Sequence, residues 1–330
     1  MKTRFLAGAL LALGMAAAQA QPFSFGLWGD MPYAKADDEP KIPALIRSIN
    51  QSDIAFSIYD GDIKDGSSKC TADIYYSALT MFAQMQKPVV YLPGDNEWTD
   101  CHRLNNGGYD GLERLSFIRK TMFGEPGSLG KRRMPLLHQG RPGEKFVENT
   151  RFSHGRIVFA GFNIPGSNNN KILDEKDCTN KSARTAAQCD ASNAEYAERD
   201  AANVQWMQQS FQAAKDQNAR GIVLVFQGDP GFDLPETEDV DESKAPGVSG
   251  YRNFINAVIA QTEQFSGQVL LVHGDTHFFK VYKPLYSPTK VLANLTRLKT
   301  FGSPLIHWVR VTVDIKNPNV FTIQPVIVRQ

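Results

Sequence analysis

Apolar residues fall into short runs separated by amphipathic stretches. The runs at Phe23–Trp28, 54–59, 89–92, 156–162, 222–226 and 268–272 are near-continuous rather than alternating, which predicts strands buried on both faces. Between them, helical spacing predicts helices over Ile42–Gln51 and over 73–86, where Ile74, Ala78, Leu79 and Phe82 form one stripe. Two more are predicted over 192–218, with Val204, Met207 and Phe211 inward, and over 251–265. Strands alternating with helices imply an α/β layered domain. Residues 306–315 and 320–328 alternate instead and flank Lys316-Asn317-Pro318-Asn319, so they predict a hairpin closing the second sheet. The loops 124–145, 163–190 and 229–248 are long enough to be expected near a site.

Five strand tips share one dipeptide: "LWGD" at Asp30, "YDGD" at Asp62, "LPGD" at Asp95, "FQGD" at Asp229 and "VHGD" at Asp275. Ligands of α/β sheets gather at the carboxyl ends of strands. Glycine permits a sharp turn or a close approach there, and the aspartate after it presents a short carboxylate. Several carboxylates at one rim repel unless a positive group sits among them, and a divalent cation is the expected one.

The first twenty residues, "MKTRFLAGALLALGMAAAQA", have basic Lys2 and Arg4, a short apolar middle and Ala18-Gln19-Ala20. That is the layout of a secretory signal peptide, and the apolar run is shorter than the roughly 20 residues a bilayer requires. The expectation is a periplasmic or secreted protein with a single domain over 21–330. Without Lys2 and Arg4, 34 of the 36 basic residues remain against 35 acidic ones. This balance gives no electrostatic footprint for nucleic acid or an anionic membrane. The four cysteines of an exported chain favour disulfides. Of three pairings, Cys70–Cys101 and Cys178–Cys189 are preferred, because the first pair follows strand tips and the second closes a short polar loop.

The ordered blocks "GD…GDIKDG…GDNE…VFQGD…GDTH" resemble those of the calcineurin-like metallophosphoesterases over residues 23 to about 280. The resemblance implies a four-layer α/β/β/α sandwich and hydrolysis of small-molecule phosphate esters by a metal-bound hydroxide. It implies two divalent metal ions. One would be held by Asp30, Asp62 and His277, the other by Asp62 as bridge with Asp95, Asp275 and the amide oxygen of Gln227. An oxygen-rich ligand set favours Mn²⁺, Mg²⁺ or Ca²⁺ over zinc, with iron also admitted.

The chain departs from the family pattern at four blocks. Pro32 stands at the first histidine position, and Asp95-Asn96 replace the family's Asn-His. Gln227 stands for the lone histidine, and Asp275 for the first histidine of the last block. Asn96 can donate a hydrogen bond but no proton, so His102 is the nearest candidate acid and Arg103 a candidate phosphate clamp. Glu97 is expected to brace its loop. His273 is expected to point into the sheet, and Lys64 to meet a phosphate or stand exposed. These departures also support an alternative: a catalytically weak or inactive protein of the same fold that binds metal or ligand.

Overall fold

The strand Phe23–Trp28 forms where the first apolar run predicts it, and a sheet is built outward from it. The computed structural model describes residues 21–33, 38–231, 242–287 and 290–329. The expected signal segment and residues 232–241 of the acidic loop lie outside the described residues. Phe23–Trp28 runs parallel to Ser57–Tyr59, which runs parallel to Val89–Tyr91. On its other side it pairs antiparallel with Trp308–Val313, followed at the edge by Phe321–Val326.

The second sheet has seven strands. Leu137–His138, Thr150–His154 and Ile157–Gly161 form an antiparallel flank. Ile157–Gly161, Gly221–Val225, Gln268–His273 and Leu295–Lys299 run parallel, and Lys280–Tyr282 closes the edge.

Side-chain alternation explains the continuous apolar runs. In Gly221–Val225, Val223 and Val225 join the core shared with the first sheet, whereas Ile222 and Leu224 face Trp206, Met207, Phe211 and Phe254. The two sheets meet through Phe25 and Phe159, whose ring centroids lie 5.1 Å apart edge to face. Helices Ile42–Gln51, Ala72–Phe82 and Gly111–Met122 contribute buried residues to the first core. Helices Ala186–Asp216 and Arg252–Glu263 cover the outer face of the second sheet. The result is a mixed α/β architecture of two sheets with flanking helices. Among the described residues, no helix is long and apolar enough to cross a membrane.

Both preferred disulfides are formed, Cys70–Cys101 and Cys178–Cys189. The C-terminal hairpin corrects one expectation: it completes the first sheet, not the second. Alternation shows which face of a strand is buried but not which strand lies beside it, and Val309, Val311 and Val313 bury equally well against Phe23–Trp28. The helix Ala186–Asp216 also begins before its predicted start, at a capping box in which Thr185 and Gln188 satisfy each other's backbone.

Candidate carboxylate site

The Gly-Asp tips interlock. A Cβ on Gly94 would overlap Asp62 Oδ1, and one on Gly274 would overlap Asp30 Oδ2. Each glycine is therefore the space into which another tip's carboxylate packs. Asp30, Asp62, Asp275 and His277 all take positive φ, between 49° and 70°. Aspartate tolerates that region better than most residues, but such conformations still cost free energy and concentrate where function demands them.

Distant segments meet here. The Asp275 N–H donates to Asp30 Oδ2 at 3.0 Å, joining the two sheets. Asp62 accepts on Oδ1 from the Asn96 N–H at 3.1 Å. On Oδ2 it accepts from Asn96 Nδ2 at 2.5 Å and from the Tyr33 hydroxyl at 3.0 Å. Gln227 Nε2 lies 3.2 Å from Asp95 Oδ1 and 3.4 Å from Asp275 Oδ1. Ser167 Oγ reaches Asp95 Oδ2 at 2.9 Å and Asp100 Oδ1 at 2.7 Å. The expected residues Asp30, Asp62, Asp95, Asn96, Gln227, Asp275 and His277 thus occupy one neighbourhood.

His277 is oriented by Nδ1, which lies 2.6 Å from the Ser303 carbonyl. A carbonyl only accepts, so Nδ1 carries a proton, and in the neutral ring Nε2 then presents a lone pair. That lone pair faces Asp30 Oδ1 at 3.7 Å, a buried oxygen with no hydrogen-bond partner. Two acceptors aimed at each other repel unless a proton or a cation lies between them.

Other expected residues take different places. Arg103 pairs with Asp100 at 2.7 Å and reaches Ser167 Oγ at 3.3 Å, so it stands one residue outward from Asp95. His102 turns to Ser182 Oγ at 2.8 Å, and burial together with Arg184 and Arg103 pushes it down to about 3. It is a neutral side chain beside the site. Lys64 is buried, contrary to both readings of it, and spends its ammonium on the carbonyls of Asp65 and Asn96. Glu97 braces the loop as expected, its Oε1 accepting from the Asp62 and Gly94 N–H groups and the Tyr91 hydroxyl. Asp229 joins Arg297 and Lys299 at 2.6 and 2.8 Å rather than the carboxylate group. His273 lies buried against Arg297, 2.9 Å from its Nε.

Sequence reasoning missed Tyr33, Asp60, Asp100 and Ser167. Tyr33 follows Asp30 by three residues, and its hydroxyl also reaches His277 Nε2 at 3.1 Å. Ser167 opens the run Ser167-Asn168-Asn169-Asn170, all at positive φ. The asparagines were the available signal, since they enter the left-handed region most readily.

The arrangement does not match a two-metal centre. Among the described residues, no group of three or more His, Cys, Asp or Glu side chains is placed to hold a metal ion. The geometry supplies a reason: amide donors stand where acceptors are needed. Gln227 Oε1, expected as a ligand, accepts the Gly166 N–H at 2.6 Å, which turns its NH₂ toward Asp95 and Asp275. Asn96 likewise presents its NH₂ to Asp62.

Crowding has a pH consequence. Burial, reinforced by Asp95, pushes Asp275 up to about 7, and burial pushes Asp60 to about 7. Asp30 and Asp62 shift in the same direction, first through burial and then through neighbouring carboxylates. These groups bind protons more tightly folded than unfolded. The stabilising contribution of Asp60 and Asp275 is full below about pH 4 and is lost as pH rises through about 7, at about 1.4 kcal/mol per pKa unit. Urea midpoints in EDTA are expected to fall across that window. A midpoint that climbs steadily from pH 4.5 to 7 would contradict this.

No known family's profile matches the chain, and no curated protein matches it. Solved structures do match. The structure of PhoD aligns over 93% of this chain and 69% of its own, with a TM-score of 0.56 at 12% identity. GAP50, described as the anchor in the inner membrane complex of Plasmodium, aligns over 94% of this chain and 90% of its own, with a TM-score of 0.44 at 13% identity. TT1561 of Thermus thermophilus aligns over 94% of this chain and 100% of its own, with a TM-score of 0.46 at 10% identity. The likeness to PhoD is one of fold.

Proposed function

We propose that this is an exported protein with the four-layer α/β/β/α fold of the calcineurin-like metallophosphoesterases, a single domain over 21–330, and weak or no phosphoesterase turnover. Its carboxylate rim binds one divalent cation rather than two. The observation that carries this reading is the pair of inward-facing amides: Asn96 and Gln227 donate to Asp62, Asp95 and Asp275. A donor amide nitrogen offers no lone pair to a metal and also removes one from the carboxylate it meets. The cation position is supported by the opposed acceptors Asp30 Oδ1 and His277 Nε2. Mn²⁺, Mg²⁺ or Ca²⁺ suits those oxygens.

When bound, such a cation supplies positive charge to a phosphoryl or carboxylate oxygen. The protein's own residues do the remainder. Asn96 donates a hydrogen bond but no proton, His102 is turned away, and Arg103 is placed to hold an anion near Asp95. General acid help typically contributes 10²–10⁴-fold, and none of these side chains supplies it. Export is supported by the basic-apolar-small pattern of residues 1–20 and by both disulfides.

The test uses p-nitrophenyl phosphate and its bis ester with added Mn²⁺, Mg²⁺, Ca²⁺ or Zn²⁺, alongside elemental analysis. The expected result is at most one metal per chain and hydrolysis near the uncatalysed rate. Fast metal-stimulated turnover that disappears in Asp62→Asn would restore the full phosphoesterase reading instead.

A further inference from the structure

Beside the rim lies a cavity of about 990 Å³, walled by residues following Trp98 and by the segment 167–184. Small-ligand sites commonly span about 300–1,000 Å³, so this one accommodates an organic molecule and not merely an ion. It shares Asp100, Arg103 and Ser167 with the hydrogen-bond chain that reaches Asp95.

Its charge is uneven. Lys171, Lys176, Lys181 and Arg184 all line it from one short segment. Arg184 donates to the backbone carbonyls of Asp177 and Cys178, and Lys171 lies over the Tyr196 ring. None of the four pairs with a carboxylate among the described residues. Of the acids of the same segment, Asp174 Oδ1 accepts the Asp177 N–H at 2.8 Å and Asp177 Oδ2 accepts the Leu173 N–H at 3.0 Å, while Glu175 does not line the cavity. Across the cavity, Arg103 adds a guanidinium and Asn168 and Asn170 add amides.

The wall is also fastened. Cys178–Cys189 ties the basic segment to the long helix, and the left-handed turn at 167–170 is held by Arg199, Glu195 and Gly250. Like charges held together on a rigid wall repel one another, and a bound anion relieves that repulsion.

We propose that this cavity binds a small organic polyanion whose phosphate or carboxylate groups meet Lys171, Lys176, Lys181 and Arg184. The site is separate from any turnover at the rim and does not depend on it, although Arg103 and Ser167 place the bound anion next to Asp95.

Calorimetric titration of the full mature protein with inositol hexakisphosphate, and separately with citrate, tests this at 50 and 200 mM salt. At least one probe is expected to bind, more weakly at the higher salt. The triple variant Lys171→Gln, Lys176→Gln, Lys181→Gln is expected to lose tenfold or more. Lys176 and Lys181 are exposed, and Lys176→Gln alone should lose two- to threefold. Lys316→Gln, in the distant hairpin turn, should bind as the parent does. Preference for the first probe assigns phosphoryl groups and preference for citrate assigns carboxylates. Cavity binding should survive Asp62→Asn, which separates this inference from the proposed chemistry of the rim. If neither probe binds at 50 mM salt, or the triple variant binds like the parent, the assignment is wrong.

Discussion

Replacing Arg199 with Met is expected to cost about 3–5 kcal/mol, the range for removing one partner of a buried charge pair. Arg199 is fully buried in the long helix, 5.1 Å from the Trp98 ring centroid. Its Nε meets Glu195 at 2.6 Å. Its other nitrogens hold the Asn163 carbonyl at 3.0 Å, the Asn169 carbonyl at 2.9 Å and the Asn169 side-chain oxygen at 2.5 Å. Methionine fills comparable volume but takes the Arg199 donors from both Asn169 oxygens, leaves the Asn163 carbonyl to Asn203 alone, and removes the charge partner of Glu195. The left-handed turn at 167–170 would then lose one of its three anchors, which loosens Ser167. Urea unfolding should show the lowered stability, and anion binding at the neighbouring cavity should weaken in parallel. A variant as stable as the parent would mean that the turn is held from elsewhere.

Asp30→Asn is expected to act in the opposite sense, stabilising the metal-free protein by about 1–3 kcal/mol at neutral pH, the cost of a buried unsatisfied polar group. Asp30 Oδ2 already accepts the Asp275 N–H, a bond an amide oxygen keeps. The other oxygen has no hydrogen-bond partner and faces His277 Nε2. An NH₂ in its place donates where two acceptors now oppose each other, and it removes a charge from beside Asp60 and Asp275. Asparagine also suits the φ of 49° at this position. The same change should abolish stabilisation by Mn²⁺. Thermal melts in EDTA and in Mn²⁺ read both effects. A destabilised Asp30→Asn that still responds to Mn²⁺ would show that the opposed acceptors are not the cation position.

The strand tips were legible because continuous apolar runs stop abruptly at Gly-Asp. Burial on both faces produces the first feature and the interlocking tips the second. Other elements were hidden by buried charge. Leu295–Lys299 contains Arg297 and Lys299, which read as a polar stretch until Asp229 is seen between them. Gly111–Met122 buries Arg114 and Arg119, which interrupts its apolar stripe. Arg119 is matched by Glu148, 29 residues later, and no local pattern announces that pairing. At the site, spacing placed the carboxylates but could not orient the amides. Gln227 shows why: its direction is set by the Gly166 N–H, which belongs to a loop 61 residues away.

Anomalous diffraction from Mn²⁺-soaked crystals addresses the rim most directly. One peak is predicted, between Asp30 and His277, with Asn96 and Gln227 still directed at their carboxylates. Two peaks about 3.5–4 Å apart, the spacing of two-metal hydrolases, would contradict the single-cation site.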